Sequence, residues 1–456
     1  MATMDLRKAI STIGLVAVLF AAPVIATAES LSDALADAYE NSGLLNQNRA
    51  LLRAADEDVA QSLAALRPVI SWSAGAQYSG SPAAGADSLA ASAQISADLL
   101  IYDGGASSFA TESQKELVLA TRQSLIGVEQ QVLLRTVQAY VDVRSAVEFL
   151  ALRQNNVRVI TQEFRAAQDR FDVGEVTRTD VALAEARLAA ARSLLSAAEG
   201  SLAQASEEFN AVVGRRPGNL SPASPAPLAH DLAAARAFAV RNHPDMLGQQ
   251  HRVTAAELNI RRAEAATGPS VNLGGNVSLT DGGNATETIS VTIGGPIYAG
   301  GLIASQIRQQ MARRDAERAG LHITRAGLEQ QVGNAYAFLA VARASRDAFD
   351  RQIRAARVAF QGVREEATLG ARTTLDVLNA EQELLDAQAS MISAQSDEVV
   401  ASYSVLAAMG LLNAQHLGLA VQTYDPSAYY SLVDDAPAAL SEQGRALDRV
   451  LRAIGE

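Results

Sequence analysis

The sequence predicts a mainly α-helical chain that carries membrane-type β-hairpins and is built as a duplicated half-molecule. Three observations predict it. A motif repeats at a constant offset through most of the chain, each copy holds two adjacent stretches of period-two alternation, and each copy continues into 67 residues without proline.

In chain order, residues 1–28 read as a secretory signal. Arg7 and Lys8 precede an apolar run from Ile13 to Ile25, which closes in Ala26-Thr27-Ala28. The run is shorter than the ~20 residues a spanning helix needs, and no later stretch is long and apolar enough either. Any membrane role must then come from β-strands. The absence of Cys excludes disulfides, thiolate metal sites and a lipidated N-terminal Cys. The formal charge is −12, and losing Asp5, Arg7 and Lys8 with the signal makes it −13, which argues against nucleic acid as a partner. The five His, at 230, 243, 251, 322 and 416, never stand at the i, i+4 spacing of a helical metal site and read as surface or packing residues.

The repeat divides what remains. Ile101-Tyr102-Asp103-Gly104-Gly105 returns as Ile297-Tyr298-Ala299-Gly300-Gly301, an offset of 196 that also carries Gly174 onto Gly370, Asp180 onto Asp376 and Glu185 onto Glu381. Upstream the offset is 201, pairing Asn41 with Asn242 and Pro68 with Pro269. A first repeat over 29–213 and a second over 230–413 are thus expected, joined by a Pro-rich connector at 214–229 and followed by a tail at 414–456.

After Pro68, the apolar or small residues Ile70, Trp72, Ala74, Ala76 and Tyr78 alternate with Ser71, Ser73, Gly75, Gln77 and Ser79. Leu89 to Leu99 repeat the pattern, and copy two shows it at Val271–Thr280 and Ile289–Gly294. Each copy therefore holds one hairpin, with strands near the ~9–11 residues that cross a bilayer at a tilt. Four strands cannot close a barrel. Either the hairpins pack on a soluble core, or several chains pool them, since open edges are forbidden in lipid. The small polar residues of the second face suit a water-filled lumen.

Helices are expected over 106–172 and 302–368, each a rod of ~100 Å. The returning helices count in sevens, Val181, Leu188, Leu195, Leu202 and Phe209 in copy one and Leu378, Leu385, Ile392, Val399 and Leu406 in copy two. Alanine rows run beside them, Ala184 to Ala205 and Ala380 to Ala408, so each helix can pack on neighbours at both sides, as staves of a curved wall. By length, 176–213 with 230–266, and 372–413 with 30–66, are expected to stack end to end, each pair matching one long helix.

At the turns between long and returning helices, Gly174 and Gly370 are expected to supply left-handed C-caps, and the Thr residues that follow to supply N-caps. There the stretch from Gly370 through Arg372-Thr373-Thr374-Leu375-Asp376-Val377-Leu378-Asn379-Ala380 resembles the TolC-like outer-membrane efflux family, with a looser copy from Gly174 to Val181. The resemblance implies a trimer with a 12-stranded barrel in the outer membrane and an α-helical barrel across the periplasm. It implies docking on a periplasmic adaptor and an inner-membrane ABC or RND-type transporter, for type I secretion or small-molecule efflux. It also implies a gate at the hairpin tips, in which Arg372 bonds to Thr179 and Asp180 while Asp376 forms an acidic ring that selects cations. Two positions depart from the family pattern: the second ring acid is Asn379, and a Tyr three residues before the motif glycine is Ala367. Read as helix chemistry alone, Asp180 and Asp376 are first-turn acids stabilised by the helix dipole.

Two other functions compete. An enzyme would need a nucleophile elbow, a zinc motif or a dinucleotide fingerprint, and none is present, nor is a cofactor expected. A periplasmic coiled-coil adaptor would share the signal and the long helices but would carry several consecutive strands rather than one hairpin per copy.

Overall fold

The computed structural model describes residues 29–81, 86–281, 283–438 and 441–455, so the predicted signal segment lies outside it. Each copy contributes two short helices, a hairpin, a long helix and a returning helix. Copy one has α1 (Leu31–Asn41), α2 (Gly43–Ala64), β1 (Val69–Ser81), β2 (Ala86–Tyr102), α3 (Ala106–Asp172) and α4 (Arg178–Val213). Copy two has α5 (Leu232–Asn242), α6 (Pro244–Ala265), β3 (Ser270–Thr280), β4 (Asn284–Gly294), α7 (Leu302–Thr368) and α8 (Thr374–Ala408). The tail forms α9 (Ala414–Leu417), α10 (Pro426–Val433) and α11 (Glu442–Gly455). Both long helices have the expected limits.

The helices form a wall of four staves. The long helix α3 packs against α2 and α4 on one side and against α6 and α8 on the other, and α6 and α8 in turn pack against α7. The strands follow the same order, β1-β2-β3-β4, all antiparallel. One layout thus continues from the helical layer into the sheet. Heptad packing accounts for the wall: in α8, inside it, the leucine row and the alanine row are both largely buried, with Leu378, Leu385, Ala387, Ala394, Val399 and Ala401 all in the core. In α4, at its edge, burial reaches only Ala184, Leu188, Ala191, Phe209 and Val213.

The end-to-end stacking differs from expectation, because the partners are exchanged between copies. The stave α4 ends at Gly214, in the left-handed conformation, where the Asn41 side chain donates to the last carbonyl, Val213 O, at 3.2 Å. The next residue, Ser42, caps α2. Likewise α8 ends against His243, the cap of α6: a Cβ added at Gly410 would lie 3.0 Å from Pro244. Stacks are therefore α4 with α2 and α8 with α6. The expected continuous helices at 30–66 and 230–266 are also broken, at Ser42 and at His243, where extended backbone turns α1 and α5 away. Helix lengths allow either pairing, and only the tertiary contacts choose.

At these junctions lies the main core, with Tyr140 fully buried between Phe209 and Leu220 and its hydroxyl donating to Ser221 O at 2.7 Å. The tail climbs α2 from there. Tyr424 stacks on Arg49, the Tyr429 hydroxyl meets Glu57 at 2.6 Å, and Arg67 at the foot of β1 holds the Asp435 and Ala436 carbonyls.

In the sheet, Trp72, Ile95 and Val277 share one row, and Leu99, Leu273 and Val291 another, so the apolar residues of both hairpins lie on one face. Ser71 and Ser96 hydrogen-bond at 2.7 Å on the opposite face. Two features escaped the alternation pattern. A bulge at Ile101 brings Tyr102 opposite Val271, so the apolar run Leu99 to Tyr102 changes face partway. Glu287 stands opposite Val277 on the apolar face, three residues from the start of β4. Near the end of a hairpin an acidic side chain costs only ~0–1 kcal/mol even against lipid.

Candidate gate at the helical hairpin tips

The two tips are built alike. After α3, Gly174 at φ 80 lets its N–H reach Phe171 O, while Glu175 N–H reaches Arg170 O; after α7, Gly370 at φ 77 and Ala371 do the same with Ala367 O and Glu366 O. Thr177 and Thr373 then start α4 and α8 through capping boxes. In each box the Thr hydroxyl accepts from the N–H of the acid three residues on, and that acid's carboxylate accepts from the Thr N–H and hydroxyl.

The acids are Asp180 and Asp376. The Thr hydrogen bonds hold both carboxyls below the usual carboxylate range, so both stay ionised at neutral pH. Their first-turn role is thus real, and it also fixes two negative charges at the tips. Thr179 is exposed, and its side chain makes no hydrogen bond among the described residues.

The expected bond from Arg372 to Thr179 and Asp180 is not made within the chain. Arg372 Nε instead donates to Glu366 at 2.8 Å across the turn at Gly370, while the cap at Asp180 uses one of its carboxylate oxygens, Oδ2. Asn379 accepts from Arg187 of α4 at 3.3 Å, linking the two hairpins. Ala367 is buried, so the departure from Tyr sits inside the tip packing. Leu378 completes that packing against Ala167 and Ala184.

Sequence reasoning missed the polar pair just above. Glu381 is 7% exposed, and one carboxylate oxygen accepts from Asn156 of α3 at 2.9 Å. The other is buried without a partner, and burial pushes the carboxyl up to about 7. Nearby, Glu163 of α3 faces Arg364 of α7 at 3.5 Å. The only signal was Glu381's place at the same repeat position as Glu185. Among the described residues no cluster of His, Cys, Asp or Glu could hold a metal ion, and no helix is long and apolar enough to cross a membrane.

A four-stave wall that ends in an open sheet at one end and in paired hairpin tips at the other defines a segment of a channel-tunnel. The sequence profile of the outer membrane efflux protein family matches residues 34–215 and 238–411, and the chain belongs to that family. It is 37% identical over 418 residues to the outer membrane efflux protein BepC of Brucella suis, spanning 90% of this chain and 91% of that one. To the outer membrane protein TolC of Escherichia coli it is 23% identical, over 86% of this chain and 84% of that one. The solved CmeC outer membrane channel of Campylobacter jejuni shares the fold, with a TM-score of 0.75 over 90% of each chain at 16% identity. The protein is an outer-membrane channel of a Gram-negative bacterium, the exit duct of an export system, and the adaptor reading is set aside.

Proposed function

We propose that three copies close one ring, pooling their strands into a twelve-stranded barrel and their staves into a tunnel that receives cargo from a periplasmic adaptor and an inner-membrane ABC or RND-type transporter. One observation carries this reading: the chain ends in free edges in both layers on the same two sides, β1 with α2 and α4 on one, and β4 with α7 on the other. Free strand edges are untenable in lipid, and twelve strands lie within the range that closes. Native mass measurement of the protein extracted in mild detergent should give a trimer. A monomer recovered from intact membranes would sink the reading.

The tips form the gate. Three copies of Asp376, kept ionised by their caps, ring the axis and favour cations, while Asn379 adds no charge. A latch from Arg372 to Thr179 and Asp180 requires Arg372 to leave Glu366 for a neighbouring copy, and charge-assisted bonds would then hold the tips shut. In planar bilayers Asp376→Asn should lower cation selectivity severalfold, and Arg372→Ser should raise resting conductance. Selectivity unchanged in Asp376→Asn would remove the ring. Conductance unchanged in Arg372→Ser would remove the latch.

A further inference from the structure

The duplication places a template for the contact between copies inside a single chain. Helix α3 is the repeat counterpart of α7 at an offset of 196, α6 that of α2 at 201, and α8 that of α4 at 196. The seam that α3 makes with α6 and α8 is fully formed within the chain. Its counterpart, α7 against α2 and α4, is not formed among the described residues, because those helices lie at opposite edges of the wall.

The within-chain seam has a defined register. A Cβ at Gly248 of α6 would lie 3.5 Å from Gln123 Cβ of α3, and one at Gly127 of α3 would lie 3.7 Å from Asp245 Oδ1 of α6. Lower down, Asn156 of α3 donates to Glu381 of α8 at 2.9 Å. Moved by the repeat offsets, these three contacts become Gln47 with Ala319, Leu44 with Ile323, and Gln352 with Glu185. All six residues are exposed on the edge helices, Leu44 at 41% and Ile323 at 74%. The chemistry is complementary at each. Glycine against glutamine becomes glutamine against alanine, two large exposed apolar side chains face each other, and an amide again meets a carboxylate.

We propose that neighbouring copies join along this seam in the transposed register: Ile323 of one copy packs on Leu44 of the next, Ala319 on Gln47, and the Gln352 amide donates to the Glu185 carboxylate. The proposal rests on the ring of copies put forward above and adds the residues that set its register. It also separates the two kinds of seam. The ionisable pair of the within-chain seam, His251 with Glu116 at 2.7 Å, falls on Ala50 and Ala312, so the upper contact between copies is apolar and small-residue.

The chain has no Cys, so an introduced pair is read without background. In Gln47→Cys/Ala319→Cys the two Cβ atoms should approach the ~3.5–4.5 Å that a disulfide needs. Mild oxidation of outer membranes should then yield covalent dimers and trimers on denaturing gels, with each single variant remaining monomeric. The pair Gln47→Cys/Ala326→Cys, one heptad or ~10 Å out of register, should stay uncrosslinked. As a second readout, Gln352→Glu should reduce trimer recovery severalfold and Glu185→Gln should restore it. If the wild type is trimeric but the first pair fails to crosslink, or both pairs crosslink equally, the register is wrong and the ring stands. If the wild type is monomeric, both fall.

Discussion

At the scale of single residues, side chains in this channel serve more than one end. Asp376 caps a helix and, because the cap lowers its proton affinity, carries a fixed charge. Glu381 is the opposite case: buried with one unpartnered oxygen beside Glu163, it is raised from 4.5 to about 7. A carboxyl whose folded value lies above its unfolded value binds more protons when folded. Stability from this group is therefore present below pH 4.5 and is lost as pH rises through about 7. Thermal melting of the solubilised protein should fall between pH 5 and 8, and Glu381→Gln should flatten that dependence. A melting temperature equally pH-dependent in the variant would assign the effect elsewhere. His243 illustrates a residue that looked incidental in sequence. Its Nδ1 accepts from Asp245 N–H at 3.1 Å to start α6, and its ring lies against the end of α8, where a Cβ at Gly410 would meet its Cδ2 at 3.4 Å.

At the scale of elements, the glycines that end the staves differ in what surrounds them. Gly370 and Gly410 both have positive φ, 77 and 80, but a Cβ at Gly370 meets open space while one at Gly410 meets Pro244 at 3.0 Å. Gly370→Ala should cost only the left-handed backbone strain, ~1 kcal/mol. Gly410→Ala should cost more, because the junction of α8 with α6 must also open. Comparing yields of heat-resistant oligomer tests this, and equal yields would mean the junction is compliant. The limits of α3 and α7 were legible because their pattern is local: a glycine pair before, a glycine after, and heptads between. The break at Ser42 was not, since Ser is compatible with a helix start and with a continuing helix; at His243 the following Pro244 is a local helix-start signal, which the match of summed lengths overrode.

At the scale of the whole molecule, the lipid face is decided by register. Val291 lies on the row of Leu99 and Leu273, whereas Val277 lies opposite Glu287. Arg at Val291 should impair assembly by ~2–4 kcal/mol if the row is near the bilayer midplane, and Val277→Arg by less, because Glu287 offers a partner. Ser278→Arg and Gln94→Arg, on the small polar face, should be tolerated. Outer-membrane recovery of each variant is the measurement, and equal recovery for Val291→Arg and Ser278→Arg would mean that the strands do not span lipid.

The sequence by itself determined the elements and their duplication, because heptads, alternation and glycine turns act over a few residues and survive in any arrangement of the helices. It also marked Asp180, Asp376, Gly174 and Gly370, whose roles are set by neighbours three to five residues away. Only the tertiary structure decided which helices stack end to end, that Arg372 turns to Glu366, and that Glu381 is buried against Asn156. Those outcomes depend on contacts between segments far apart in the chain, whose free energies differ by packing and desolvation rather than by local pattern.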